Sequence, residues 1–280
     1  MSRLIGVAER DPRIVGLVYY GGSSADRVDL WSDIDVAVFL RDDAYEAFAP
    51  PPAPWAAQLG QLLLMFGGLG QSHAWLRTVY EASPVPLRMD FVFYREAQAE
   101  TALRWPDVPT ARSATVWHDA TGGRLAACMR ELANQCLAPP DPARAFEDTC
   151  GTFWYYLLYT NGKLERGDGL WGPLQAFHLT VLPSLFRLLR LEAGALDEWF
   201  GAPAAKDLDG ILTPERRFQL EGCAPGQGPA GQRQALRAAA RLGRDVCAEL
   251  ARRHGWAWPE TLAERAVRLL SANNAAGAPG

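Results

Sequence analysis

The feature that most restricts what this chain can fold into is a change of hydrophobic period near residue 137. Before it, apolar residues come in short β-rich runs that suit a side-chain period of two; after it, they recur at helical spacing over long stretches. The change falls in LAPPDPARAF, residues 137–146, where three prolines withdraw backbone donors and halt what precedes them. Two periods on either side of such a break predict an α+β chain, with a mixed sheet and helices first and a helical bundle second. The length of 280 residues, beyond the roughly 100–200 of a usual single domain, also predicts two cores. The expected domains are 1–137 and 138–272, with 273–280 a disordered tail.

Within the first domain, residues 2–10 suit a short helix and IVGLVYY (14–20) a strand that stops at Gly21 and Gly22. DIDVAVFL (33–40) is the second strand, and the Pro-rich APPPAPW after it is expected to hold no helix or central strand. LGQLLLMFGGLG (59–70) fits helix or strand equally. A third strand lies within 83–98 and a fourth within 114–123. In the second domain, helices are expected over 143–166, with Gly167 ending the first, and over 173–193, 231–254 and 259–271. GCAPGQGPAG (222–231) reads as a loop without core residues.

Composition narrows the partners. A net charge of −4 gives no long-range pull on nucleic acid or an anionic membrane. No apolar run approaches the roughly 18 residues that span a bilayer, and charges break the N-terminal MSRLIGVAERDPR, so neither a signal peptide nor an anchor is expected there. The five cysteines are widely spaced, without a CxxC or CxxH pattern, and read as reduced core residues. A cytoplasmic location is therefore expected.

The chemistry concentrates in YYGGSSADRVDLWSDIDVAVFL, residues 19–40. Asp33 and Asp35 head an apolar strand, and the period of two turns both to the same face. Like charges held that close raise each other's pKa unless something positive lies between them, so the pair asks for a cation. Asp90, inside LRMDFVFY, can join them if its strand pairs alongside. Three such acids suit a hard divalent cation, which for Mg²⁺ usually shares its oxygens with substrate phosphates. Gly21 and Gly22 let the backbone approach a bulky anion, and Ser23 and Ser24 add hydroxyl donors.

Tyr20-Gly21-Gly22, a gap of ten, Asp33-Ile34-Asp35-Val36 and later Met89-Asp90-Phe91 together resemble the signature of polymerase-β-like nucleotidyltransferases. Within that superfamily the chain is most similar to antibiotic nucleotidyltransferases of the two-domain lincosamide type, and the likeness continues through WHDATG (117–122) and FWYYLLYTNGKLERGD (153–168). Two departures stand out: Gly22 occupies a place usually held by Ser, and a glycine common soon afterwards is replaced near Asp26. The resemblance implies Mg²⁺-dependent transfer of a nucleoside monophosphate from a nucleoside triphosphate, ATP foremost, to a small-molecule hydroxyl. In that reading Asp33 and Asp35 hold the metal, while Asp90 is either a third ligand or the general base, with the base preferred. The helical domain is implied to bind the acceptor, and Lys163 and Arg166 to contact the triphosphate, although cations near a helix C-terminus need no ligand.

Of Trp154, Tyr155, Tyr156, Tyr159 and Trp171, some are expected in the core and the remainder along an acceptor pocket. Glu147, Asp148, Glu165 and Asp168 are few beside these aromatics, which favours a lincosamide over a polycationic aminoglycoside. An aminoglycoside nucleotidyltransferase and a non-catalytic nucleotide-binding module of the same fold are the alternatives. A monomer or a homodimer fits equally, and neither nucleic acid nor membrane is an expected partner.

Overall fold

The computed structural model describes residues 2–20, 31–49, 51, 53–70, 73–102, 115–134, 139–196, 199 and 203–272. They form two compact units, Met1–Leu137 and Ala138–Gly280.

The first unit opens with helix α1 (Ser2–Arg10), followed by strands β1 (Ile14–Tyr20) and β2 (Ile34–Leu40). Two short helices, α2 (Tyr45–Phe48) and α3 (Ala53–Ala56), precede strands β3 (Leu62–Leu69), β4 (Ala74–Tyr80) and β5 (Leu87–Arg95). Helix α4 (Ala99–Ala102), strand β6 (Thr115–Asp119) and helix α5 (Arg124–Asn134) complete it. The six strands make one mixed sheet in the order β3-β4-β5-β2-β1-β6. Only β2 and β5 run parallel; the other neighbours are antiparallel.

Alternation sorts the strands into two buried faces. Val36, Val38 and Leu40 of β2, with Phe91 and Phe93 of β5, pack under Leu4 and Val7 of α1, Phe48 of α2 and Trp55 of α3. Ala37 and Phe39 point the other way, where Leu125, Cys128 and Met129 of α5 cover them with Tyr94. Asp35 and Asp90 share this second face, one pleat beyond Ala37 and Val92. The carboxylates thus begin where the apolar layer ends.

Several sequence expectations shift here. The ambiguous 59–70 segment is a strand, and β4 and α5 form where no element was expected. The Pro-rich stretch does hold a helical turn, α3, because a proline in a first turn forfeits no hydrogen bond.

The regular elements among the described residues of the second unit are helices: α6 (Pro142–Arg166), α7 (Trp171–Ala176) leading through a π-turn (Phe177–Val181) into α8 (Leu182–Ala193), then α9 (Leu208–Ile211), α10 (Pro214–Glu221), α11 (Gly228–His254) and α12 (Glu260–Ala272). Helix α6 has strong local signals: Asp141 accepts a hydrogen bond from the Arg144 N–H at 2.8 Å, proline opens the first turn, and Gly167 closes the helix in the left-handed region at φ 71°. Its Phe146, Phe153, Trp154 and Leu157 pack with Leu185 and Leu188 of α8, Leu236 and Val246 of α11, and Leu270 of α12. Glu192 at the end of α8 accepts two hydrogen bonds from Arg216 of α10, at 2.6 and 2.9 Å. The segment 222–231 departs from the expected loop, since α11 starts at Gly228 and Cys223 is fully buried. Cys128, Cys150, Cys223 and Cys247 are free and buried, while Cys136 and the tail 273–280 lie outside the described residues.

Candidate active site

Strand β2 is flanked by β5 on one side and β1 on the other, and this arrangement builds the site. The parallel β2–β5 register sets Asp35 directly opposite Asp90, and the antiparallel β1–β2 register sets Tyr20 opposite Asp35. β1 therefore ends, at Tyr20, beside Asp35. Gly21, Gly22, Ser23 and Ser24 themselves, and Asp26, lie outside the described residues.

Two arginines answer the three acids. Arg77, the register partner of Asp90 on β4, places Nε 3.1 Å from Asp90 Oδ2. Arg88, two residues before Asp90 on β5, reaches within 3.7 Å of Asp33 Oδ2 and donates to the Trp31 carbonyl at 3.0 Å. Sequence reasoning passed over both. Arg77 is tied to Asp90 only through the β4–β5 pairing, which AWLRTVY does not encode; Arg88 is legible in the sequence as a same-face neighbour of Asp90.

The arginines do not fully compensate the acids. Burial first, then repulsion from Asp33 and Asp90, pushes the Asp35 carboxyl up to about 7 despite the opposing pull of Arg77 and Arg88. Burial is also the largest influence on Asp90, raising its carboxyl above the usual range while Arg77 pulls it back. A buried acid this hard to ionise suits a divalent cation, and oxygen donors are the right kind. Among the described residues, however, no three His, Cys, Asp or Glu side chains gather closely enough to hold a metal ion. The expected three-acid cage of Asp33, Asp35 and Asp90 is thus not closed, and Asp90 is engaged by Arg77 instead. Two carboxylates still fit a Mg²⁺ that takes its remaining ligands from phosphate and water.

Beside Asp33 lies a hollow of about 660 Å³, lined also by Tyr19 of β1, Ile34 of β2, Trp31, Arg88 and the β4–β5 turn, and by neither Asp35 nor Asp90. His118 has no part in this site, and Asp119 has a structural one: its carboxylate accepts from the Thr121 and Ala126 N–H groups, each at 2.9 Å, and so anchors the start of α5.

Lys163 and Arg166 occupy the last turn of α6 in the second unit, and both converge on Asp168, at 3.9 and 3.1 Å. Lys163 also lies 5.1 Å from the centre of the Tyr159 ring. The aromatic group divides as its helical spacing requires: Trp154 is fully buried, whereas Tyr155, Tyr159 and Trp171 are exposed.

Neither a protein-family profile nor a curated protein matches this chain. Among solved structures it is similar to an aminoglycoside 6-adenyltransferase from Bacillus subtilis, at 16% identity over 97% of this chain and 96% of that one, with a TM-score of 0.43. It is also similar to a nucleotidyltransferase-like protein from Exiguobacterium sibiricum 255-15, at 14% identity over 97% of this chain and 85% of that one, with a TM-score of 0.31. Among the described residues, no helix is long and apolar enough to cross a membrane.

Proposed function

We propose that the chain is a nucleotidyltransferase that moves a nucleoside monophosphate from a nucleoside triphosphate, ATP foremost, to a hydroxyl of a small-molecule antibiotic of the lincosamide type. The observation that carries this reading is the β2–β5 register, which sets Asp90 beside Asp35 at the sheet end where β1 finishes at Tyr20. Asp33 and Asp35 would hold a divalent cation together with the nucleotide's phosphates. Bound there, the cation supplies charge stabilisation at the phosphoryl oxygens and a template for the triphosphate.

The chain's own groups account for the remaining steps. Asp90 takes the proton of the acceptor hydroxyl as its oxygen bonds to the α-phosphorus. The bond from that phosphorus to the bridging oxygen breaks in line, and pyrophosphate leaves with the electron pair. Arg77 holds Asp90 in position and biases it toward the ionised form that can accept the proton. Backbone N–H groups and hydroxyls of Gly21–Ser24 are proposed to receive phosphate oxygens. A phosphate role for Lys163 and Arg166 requires a ligand that competes with Asp168.

The test is incubation with Mg²⁺, each nucleoside triphosphate, and a panel of lincosamides and aminoglycosides, with mass spectrometry for a nucleotidylated product. A lincosamide adduct supports the full reading, and an aminoglycoside adduct corrects the acceptor. Triphosphate binding without product from any acceptor supports a non-catalytic nucleotide-binding module.

A further inference from the structure

We propose that Cys150 of α6 and Cys247 of α11 form an oxidation site, a thiol pair that hydrogen peroxide converts to a reversible disulfide tying the two helices together. The proposal is independent of the transferase reading. The two sulfurs lie 3.6 Å apart, although 97 positions separate them along the chain. A disulfide brings its sulfurs to about 2.05 Å, a closure that side-chain rotation supplies only where the backbones already run close. They do so here. A Cβ on Gly243, one turn before Cys247, would come within 2.3 Å of the Phe153 ring, and Phe153 lies one turn after Cys150, so α6 and α11 approach closely beside the pair.

Burial alone makes a thiol inert. Cys223 is such a case: fully buried, with Sγ 3.5 Å from the Gln219 carbonyl oxygen, its thiol is pushed up to about 12 by burial. Cys150 is also buried, yet a hydrogen bond from the Cys247 thiol holds its thiol below the usual range. The same contact, with burial, pushes the Cys247 thiol up. One sulfur is thus prepared as nucleophile and the other keeps its proton. A further donor stands beside them. The indole N–H of Trp154, one turn on from Cys150, is buried with no hydrogen-bond acceptor among the described residues, and it favours the ionised form of both thiols. A thiolate on Cys150 gives that N–H an acceptor.

Depth selects the oxidant. With Cys150 1% and Cys247 0% exposed, a bulky disulfide has no path to either sulfur, whereas hydrogen peroxide, small and neutral, enters through local opening of the packing. The Cys150 sulfur attacks one peroxide oxygen, the O–O bond breaks, and hydroxide leaves with the electron pair and takes up the proton that Cys150 released, as water. The Cys247 sulfur, losing its own proton, then attacks the Cys150 sulfenic sulfur; the S–O bond breaks and a second water departs. Each sulfur loses one electron and the peroxide gains two. A thiol reductant reverses the bond.

The test exposes the freshly reduced full chain to graded hydrogen peroxide, quenches it with iodoacetamide in denaturant, and maps the peptides by mass spectrometry. The chain is expected to lose two of its five titratable thiols and to yield a linked Cys150–Cys247 peptide pair at a dose that leaves Cys223 a free thiol. The oxidised chain should melt at a higher temperature, because the bond closes a long loop in the unfolded state, and dithiothreitol should restore the original value. In Cys247→Ala the reaction should stop at the sulfenic acid, giving a dimedone adduct on Cys150 at least about tenfold above that on Cys247 in Cys150→Ala. Thermal melting checks both variants, and the wild-type peptide map decides the matter without them. No Cys150–Cys247 pair at any dose the fold survives, or bonds to Cys128, Cys136 or Cys223 in its place, would overturn the proposal. So would a pair that forms only in unfolded chain, a lower melting temperature on oxidation, or dimedone labelling of Cys247 equal to or above that of Cys150.

Discussion

Asp35 and Asp90 are register partners on adjacent parallel strands, so their carboxylates rise side by side from one face of the sheet. Asp33 adds a third negative charge, and burial, reinforced by repulsion from Asp33 and Asp90, raises the Asp35 carboxyl. Electrostatic strain of this kind is expensive in a structural site and useful in one that receives a cation.

Removing the proposed base separates the two roles open to Asp90. Asp90→Asn is expected to lower turnover about 10²- to 10⁴-fold while Mn²⁺ affinity, read by electron paramagnetic resonance, stays near wild type. A loss of Mn²⁺ binding as large as that from Asp33→Asn would make Asp90 a metal ligand.

The raised carboxyl of Asp35 fixes the sign of a pH effect in metal-free protein. In the fold it binds its proton at about 7, against about 3.9 in an unfolded chain, so between those values the native state carries the extra proton. Its contribution to stability is complete below the unfolded value and is lost as pH rises through about 7. Asp90, also raised, acts in the same direction. Urea titrations in chelator should show stability falling over this window, with a flatter profile for Asp35→Asn. Divalent binding must displace the same proton, so Mn²⁺ affinity should rise with pH across the window.

Two helical glycines of the second unit should respond in opposite directions. A Cβ on Gly243 of α11 would come within 2.3 Å of the Phe153 ring, and Phe153 is fully buried, so Gly243→Ala is expected to cost about 1–3 kcal/mol. A Cβ on Gly151 of α6 would meet nothing within 4 Å. Gly151→Ala should therefore gain roughly 0.5–1 kcal/mol from helix propensity. Paired urea denaturation curves check both signs.

What the sequence made legible follows from how local each signal is. The runs IVGLVYY and DIDVAVFL read as strands because β-branched and aromatic residues concentrate there, and both form as β1 and β2. Helix α6 was legible over 143–166 because its apolar spacing is sustained and its stop at Gly167 is encoded locally, whereas the Asp141 cap that starts it was not read. Strand partnership was not legible: nothing near Asp90 states that β5 inserts between β4 and β2, which makes it an interior strand rather than an edge. Arg77 went unnoticed for the same reason, since its link to Asp90 exists only once β4 pairs with β5. Short helices such as α9 and α10 carry too few turns for a periodic signal and are set by packing, as the Glu192–Arg216 bridge between α8 and α10 illustrates.

The central claim is that Asp35 helps hold the divalent ion at which a triphosphate is cleaved, and pyrophosphate release by Asp35→Asn tests it most directly. Purified wild type and variant, matched for thermal melting, are supplied with nucleoside triphosphate, acceptor and graded Mg²⁺. The account predicts Mg²⁺-dependent release from the wild type and a loss of at least about 10²-fold in the variant that added Mg²⁺ does not restore. Equal release by the two proteins at every Mg²⁺ concentration would contradict it.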